Sequence, residues 1–279
     1  MSLIEKVINC SDEELDSIIK SALEDKNNSS NNINTLGFTS SNVITIFKGF
    51  IPLNTRIKYS NFSMSDYSMK TTDFYFEFAR LLRKNKIQNK GQFISLIEPF
   101  INNYFGINRT SKDIREQILN DIAFKTTTTD EEYFNKLENN EIGNLKGTNA
   151  AMCTEKSALA QNLLSLFDFE SYYVMGCINN NGKDEAHCFN ITKAKDSYIL
   201  LDYSVPIPLI SDNKVVGYAP FQGKVDNDEL EQVISNGQIK EFQNYQYIKE
   251  QDRYKKVPTD TIRTYIVGSF ELKKTSKKL

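Results

Sequence analysis

"HCFNITKAKDSYILLDYS", residues 187–204, reads as two β-strands joined by the two-residue turn Lys195-Asp196. Aromatic and β-branched residues fill both arms, and Lys-Asp separates them with turn chemistry. Placing Ala194 opposite Ser197 sets His187 opposite Ser204 and Asp202 opposite Phe189. Positions 187 and 189 share a face, so His187 and Asp202 share it too. They become diagonal neighbours about 7–8 Å apart at the backbone, within side-chain reach. Cys188 points the other way by the same alternation. A three-residue turn would put His187 and Asp202 on opposite faces.

Both residues need a reason to be there. His187 is the only histidine of the chain. Asp202 is embedded in the apolar run "ILLDYS", where a bare carboxylate costs several kcal/mol unless it is partnered or solvated. Upstream, "NAAMCTEKSALAQNLLSLF" (149–167) places Cys153 where an apolar helical pattern begins. Ala158, Leu159, Leu163, Leu166 and Phe167 give that helix a buried face. A cysteine at a helix N-terminus meets unpaired N–H groups and partial positive charge, which favour its thiolate. The N–H of Cys153 is also placed to donate to an oxyanion. A lone cysteine or lone histidine is more often a core residue. The order of helix-borne Cys, strand-borne His and next-strand Asp argues for a site instead.

Around this segment the chain divides. "SDEELDSIIKSALED" (11–25), "FYFEFARLLRKNKI" (74–87), "QFISLIEPFINNYFGI" (92–107) and "SKDIREQILNDIAF" (111–124) read as helices, and 125–149 as a long polar connection. After the cysteine helix come "SYYVMGCI", the hairpin, and strands at "NKVVGYAPF" and "TIRTYIVGSFEL". "DNDELEQVISNG" reads as a short helix with a glycine stop. Helices followed by mostly antiparallel strands predict an α+β fold. The expected division is a helical region over 1–110 and a catalytic core over 111–279.

The totals exclude some classes. The chain has 279 residues, 34 Lys+Arg against 36 Asp+Glu, and a net charge of -2. No overall field attracts nucleic acid or anionic lipid, and the basic "KKTSKKL" reads as a solvated tail. No stretch reaches the roughly 18 apolar residues of a membrane helix. The acidic N-terminal sequence is unlike a secretory signal, so the expected location is the cytoplasm, export without a cleaved signal remaining open. Cys10, Cys153, Cys177 and Cys188 follow no disulfide or CxxC spacing, and one histidine makes a Cys/His zinc site unexpected. Neither a metal nor a cofactor is expected. "DNDELEQ" lacks the glycine and distal glutamate of a calcium loop. Glu155 reads as a first-turn helix residue rather than an acid catalyst. "GYAPFQG" (217–223) reads as a loop bordering a cleft or as an ordinary turn.

"MCTEKSALAQNLLSLFDFESYYVMG", "HCFNI" and "LLDYS" together resemble the transglutaminase-like superfamily, over residues 149–205. The resemblance rests on a cysteine helix, a following strand that ends in glycine, a His-x-aromatic motif (Phe189 standing where Trp is common) and a strand-borne Asp. It implies a papain/transglutaminase-like core, a cysteine helix packed on an antiparallel sheet. It also implies a triad with Cys153 as nucleophile, His187 as general base and Asp202 orienting the imidazole. The reaction implied is acyl transfer through an acyl-enzyme, on a peptide, protein or small acyl/amine substrate, as in peptidases, transglutaminases and deamidases. An acyltransferase passing an acyl group from a thioester to an amine is the alternative within that chemistry. A binding protein that keeps the fold without turnover is the alternative outside it. Asn149 and Thr148 are candidates for the second oxyanion donor.

Overall fold

The computed structural model describes residues 1–30, 33, 35–36, 46–59, 62–71, 73–106, 129, 131, 140–180, 182–230 and 239–266. Two helices open the chain, α1 (Leu3–Asn9) and α2 (Asp12–Ser29). Each starts on a reciprocal cap. In α2, Ser11 Oγ accepts from the Glu14 N–H, while Glu14 accepts from the Ser11 N–H at 2.9 Å. Four short strands follow: β1 (Thr35–Leu36), β2 (Ile46–Lys48), β3 (Arg56–Tyr59) and β4 (Phe62–Ser68). Next come α3 (Phe74–Lys84) and α4 (Lys90–Phe105), which ends at Gly106 with φ 105°. Residues 1–110 are therefore not purely helical. β1, β3 and β4 form a small sheet, and β2 pairs with the main sheet. The expected helix at 111–124 lies outside the described residues. Of the polar connection, Ile142–Leu145 forms a 3₁₀ turn.

The central helix α5 (Cys153–Leu166) begins at the cysteine and is buried along its length except at Cys153 and Lys156. An amphipathic face alone would not explain this, because Gln161 and Asn162 are fully buried as well. They bond to backbone groups of the N-terminal region. Asn162 accepts from the Ile51 N–H at 2.7 Å and donates to the Ile51 carbonyl at 2.9 Å, and Gln161 donates to the Gly49 carbonyl at 2.8 Å. The helix is thus enclosed by the first third of the chain on one side and by the sheet on the other.

Six long strands complete the fold: β5 (Ser171–Asn180), β6 (Lys183–Ala194), β7 (Ser197–Ser211), β8 (Lys214–Val225), β9 (Ile239–Glu250) and β10 (Arg253–Ile266). The "GYAPFQG" stretch lies inside β8 and is neither a cleft loop nor a turn. The helix expected over 226–237 is described only to Leu230. The order β10-β9-β7-β6-β5-β2 carries β8 on β7, and β10 returns to pair with β5 at Thr264–Ile266. The sheet therefore curls until it is nearly closed. It is mixed rather than wholly antiparallel, because Leu209 and Ile210 of β7 run parallel to Tyr247 and Ile248 of β9. The α+β class holds.

Two apolar cores lie on the two faces of this sheet. One gathers α1–α5 over Tyr173, Met175, Cys188 and Leu201. The other packs Val174, Phe189, Leu200, Phe221, Tyr245 and Tyr265. Strand alternation assigns neighbours such as Cys188 and Phe189 to opposite cores.

Candidate active site

The hairpin at the centre of the site has the expected two-residue turn. Ala194 pairs with Ser197, and the ladder runs to Asn190 opposite Leu201. Lys195 takes φ 55° to close the turn. His187 and Asp202 lie just past the last paired residues and on one face. His187 Nε2 is 2.8 Å from Asp202 Oδ2.

Asp202 is fully buried, and both of its oxygens are bonded. Oδ2 also accepts from the Tyr265 hydroxyl at 2.7 Å. Oδ1 accepts from the Ser204 N–H at 3.0 Å and from Ser204 Oγ at 2.8 Å. Burial alone would raise this carboxyl. The charge of His187 and the bonds from His187, Tyr265 and Ser204 outweigh it and bring the pKa down to about 2. His187 shows the reciprocal balance. Burial disfavours its charged form, but the charges of Asp202 and Cys153 prevail and raise it to about 10.

Cys153 is partly exposed at the first position of α5. Its pKa lies well below the usual thiol range. A side-chain hydrogen bond from Cys188 is the largest cause, burial opposes it, and the charge and bonding of His187 add to it. Since Nε2 of His187 is taken by Asp202, the proton exchanged with Cys153 belongs on Nδ1. The favoured resting state is thiolate beside imidazolium, with a buried carboxylate behind the ring.

Neither upstream oxyanion candidate offers a free backbone donor. The Asn149 N–H donates to the Phe105 carbonyl at 2.7 Å, and the Thr148 N–H to the Leu145 carbonyl at 3.2 Å. Thr148 Oγ1 bonds the same Leu145 carbonyl at 2.8 Å. The Asn149 bond, with that of the Gly147 N–H to the Tyr104 carbonyl at 2.8 Å, docks the approach to α5 onto the end of α4. The Cys153 N–H, at the first helical position, has no acceptor within the helix and stays suited to an oxyanion.

Glu155 is structural, as its position in the first turn suggested. Fully buried, it accepts from the Met152 N–H at 2.7 Å and from the Tyr67 hydroxyl. It fixes the helix start that carries Cys153. Three contributors were not legible as site residues: Tyr265, Ser204 and Cys188. Ser204 was within reach of a sequence argument, since an Asp-x-Ser run on a strand permits a local side-chain cap. Tyr265 carried no such signal, being brought to Asp202 only by the return of β10.

No family model matches the chain, and no curated protein or solved structure matches it either.

Proposed function

We propose that the chain is a cysteine-dependent acyl hydrolase or transferase of the papain/transglutaminase-like type, acting on a peptide or protein amide. The observation that carries the reading is the buried Asp202–His187 pair, bonded at 2.8 Å, with its imidazole engaging a thiol at a helix N-terminus. A histidine satisfied only as a core residue would not require a thiolate partner, nor a carboxylate held by four hydrogen bonds.

In this reading the Cys153 thiolate attacks the carbonyl carbon, and the Cys153 N–H steadies the oxyanion. His187 donates its Nδ1 proton to the leaving amine as the tetrahedral intermediate collapses to a thioester. It then takes a proton from the incoming water or amine, and the same intermediate is traversed in reverse. Asp202 keeps the ring oriented and stabilises its charged form throughout.

An activated ester tests the proposal without knowledge of the natural substrate. Incubation with a p-nitrophenyl acyl ester should release nitrophenolate in a burst and leave one acyl group on Cys153, mapped by mass spectrometry. Acylation that persists in Cys153→Ala, or an absence of acylation in the folded wild type, overturns the reading.

A further inference from the structure

The acyl chemistry leaves Cys188 unused, and the first turn of α5 is seated on it. Cys188 Sγ lies 3.3 Å from Thr154 Oγ1 and accepts from the Tyr173 hydroxyl at 3.2 Å. Ser157 Oγ donates to the Cys188 carbonyl at 3.0 Å. Each thiol shifts the titration of the other, Cys153 downward and Cys188 upward, as close neighbours do. These contacts set Cys188 under the turn of α5 that Cys153 begins, at the junction of α5 and β6, although His187 and Cys188 belong to opposite faces of the strand.

Their accessibility differs. Cys188 is 0% exposed, while Cys153 is partly open. A small oxidant in solution reaches Cys153 and not Cys188. We propose that Cys153 and Cys188 form a reversible oxidative modification site, in which a hydroperoxide oxidises Cys153 and Cys188 captures the product as a disulfide.

The steps balance. The Cys153 thiolate attacks a peroxide oxygen. An S–O bond forms, the O–O bond breaks, and the departing hydroxide takes the proton held by His187 and leaves as water. Cys153 is then a sulfenic acid. The Cys188 sulfur attacks the Cys153 sulfur, the S–S bond forms, the S–O bond breaks, and hydroxide leaves with the Cys188 proton as a second water. Two thiols lose two electrons, and one peroxide gains them. Before oxidation, burial first, then the bond to Cys153 and its charge, hold the Cys188 thiol protonated. Sulfenic acid formation removes that charge. The Thr154 and Tyr173 hydroxyls, which favour the thiolate, then face less opposition. Oxidation of the first sulfur therefore activates the second.

The proposal rests on the thiolate of Cys153 and not on acyl turnover, so the two readings fail separately. The full-length protein is treated with limiting hydrogen peroxide, blocked with N-ethylmaleimide, digested without reductant and mapped by mass spectrometry. The expected product is a Cys153–Cys188 cross-linked peptide, with both thiols recovered after dithiothreitol. When wild type, Cys188→Ser and Cys188→Ala are then given several equivalents of peroxide, one for each further oxidation step, Cys153 of the two variants should pass to sulfinic and sulfonic acid and be lost to reductant. In Cys153→Ser, Cys188 should stay reduced, which keeps the test decisive if both Cys188 variants fold poorly. Three results overturn the proposal: oxidation of wild-type Cys153 without the cross-link, a cross-link through Cys10, Cys177 or a second chain, and recovery in the Cys188 variants equal to wild type.

Discussion

His187 has no substitute, because the chain holds no other imidazole to act as a base near neutral pH. His187→Ala should slow acyl transfer by about 10²–10⁴-fold. Its second effect is visible without a substrate. In the wild type, iodoacetamide should alkylate Cys153 at a rate that stays on its plateau well below pH 9, because the thiolate is already formed there. Removing the imidazolium should move that profile upward, towards the ordinary thiol value of about 8.5. Identical profiles in wild type and variant would show that His187 does not hold the thiolate. Asp202→Asn keeps the shape of the side chain but turns the ring to the wrong tautomer and leaves the imidazolium unsupported. It should cost up to about 10⁴-fold in the acyl burst rate. Because the amide oxygen in the place of Oδ1 keeps both Ser204 bonds, and the amide NH2 can donate to the Tyr265 hydroxyl oxygen, the fold should survive, and circular dichroism on the same preparation checks this.

At the scale of elements, α5 is held by groups that no helical pattern records. Asn162 answers both backbone groups of Ile51 and also donates to the Tyr75 hydroxyl at 3.1 Å. Asn162→Ala leaves a buried N–H and carbonyl unpaired and should cost about 2–4 kcal/mol in denaturant unfolding. A cost near zero would mean that water replaces the amide. On α4, Glu98 is buried, and its carboxyl is raised to about 8, desolvation outweighing the charge of Lys156. A raised carboxyl contributes stability that is fully present below its unfolded value of 4.5 and is lost as pH rises through about 8. Melting temperature should therefore decline across that window in the wild type, and Glu98→Gln should flatten the decline. A slope unchanged by Glu98→Gln would place the titration elsewhere.

For the molecule as a whole, the site depends on the return of β10 to β5. Gly176 stands where a Cβ would come within 2.2 Å of the Ile266 carbonyl oxygen. Next to Ile266, Tyr265 donates to Asp202 and packs against Phe189 at 5.1 Å between ring centroids. Gly176→Ala should push the end of β10 outward, with a loss of about 1–3 kcal/mol as in other overpacked sites. It should also slow Cys153 alkylation at mildly acidic pH, because Asp202 loses the Tyr265 bond and supports His187 less. A variant that loses stability and keeps wild-type alkylation would separate sheet closure from the site.

Sequence alone determined the features that depend on neighbours in the chain. The two-residue turn at Lys195-Asp196 follows from local turn chemistry, and strand periodicity then places His187 and Asp202 on one face. The start of α5 at Cys153 follows from its apolar periodicity and first-turn composition. Tertiary structure decided what depends on distant partners. β9 escaped notice because "IKEFQNYQYIKE" is too polar to read as a strand, yet it is held by β10 on one side and β7 on the other. β1, β2 and β3 have too few residues for a period to show, and "FSMSDYS" of β4 is too polar to read as a strand. Backbone pairing with the end of α4 commits the Asn149 N–H to the carbonyl at 105. Curling of the sheet delivers Tyr265 to a carboxylate 63 positions earlier. The packing of α5 on β6 sets Cys188 under the turn that Cys153 begins, because a side chain on the helix-facing side of a strand meets whatever the helix lays over it.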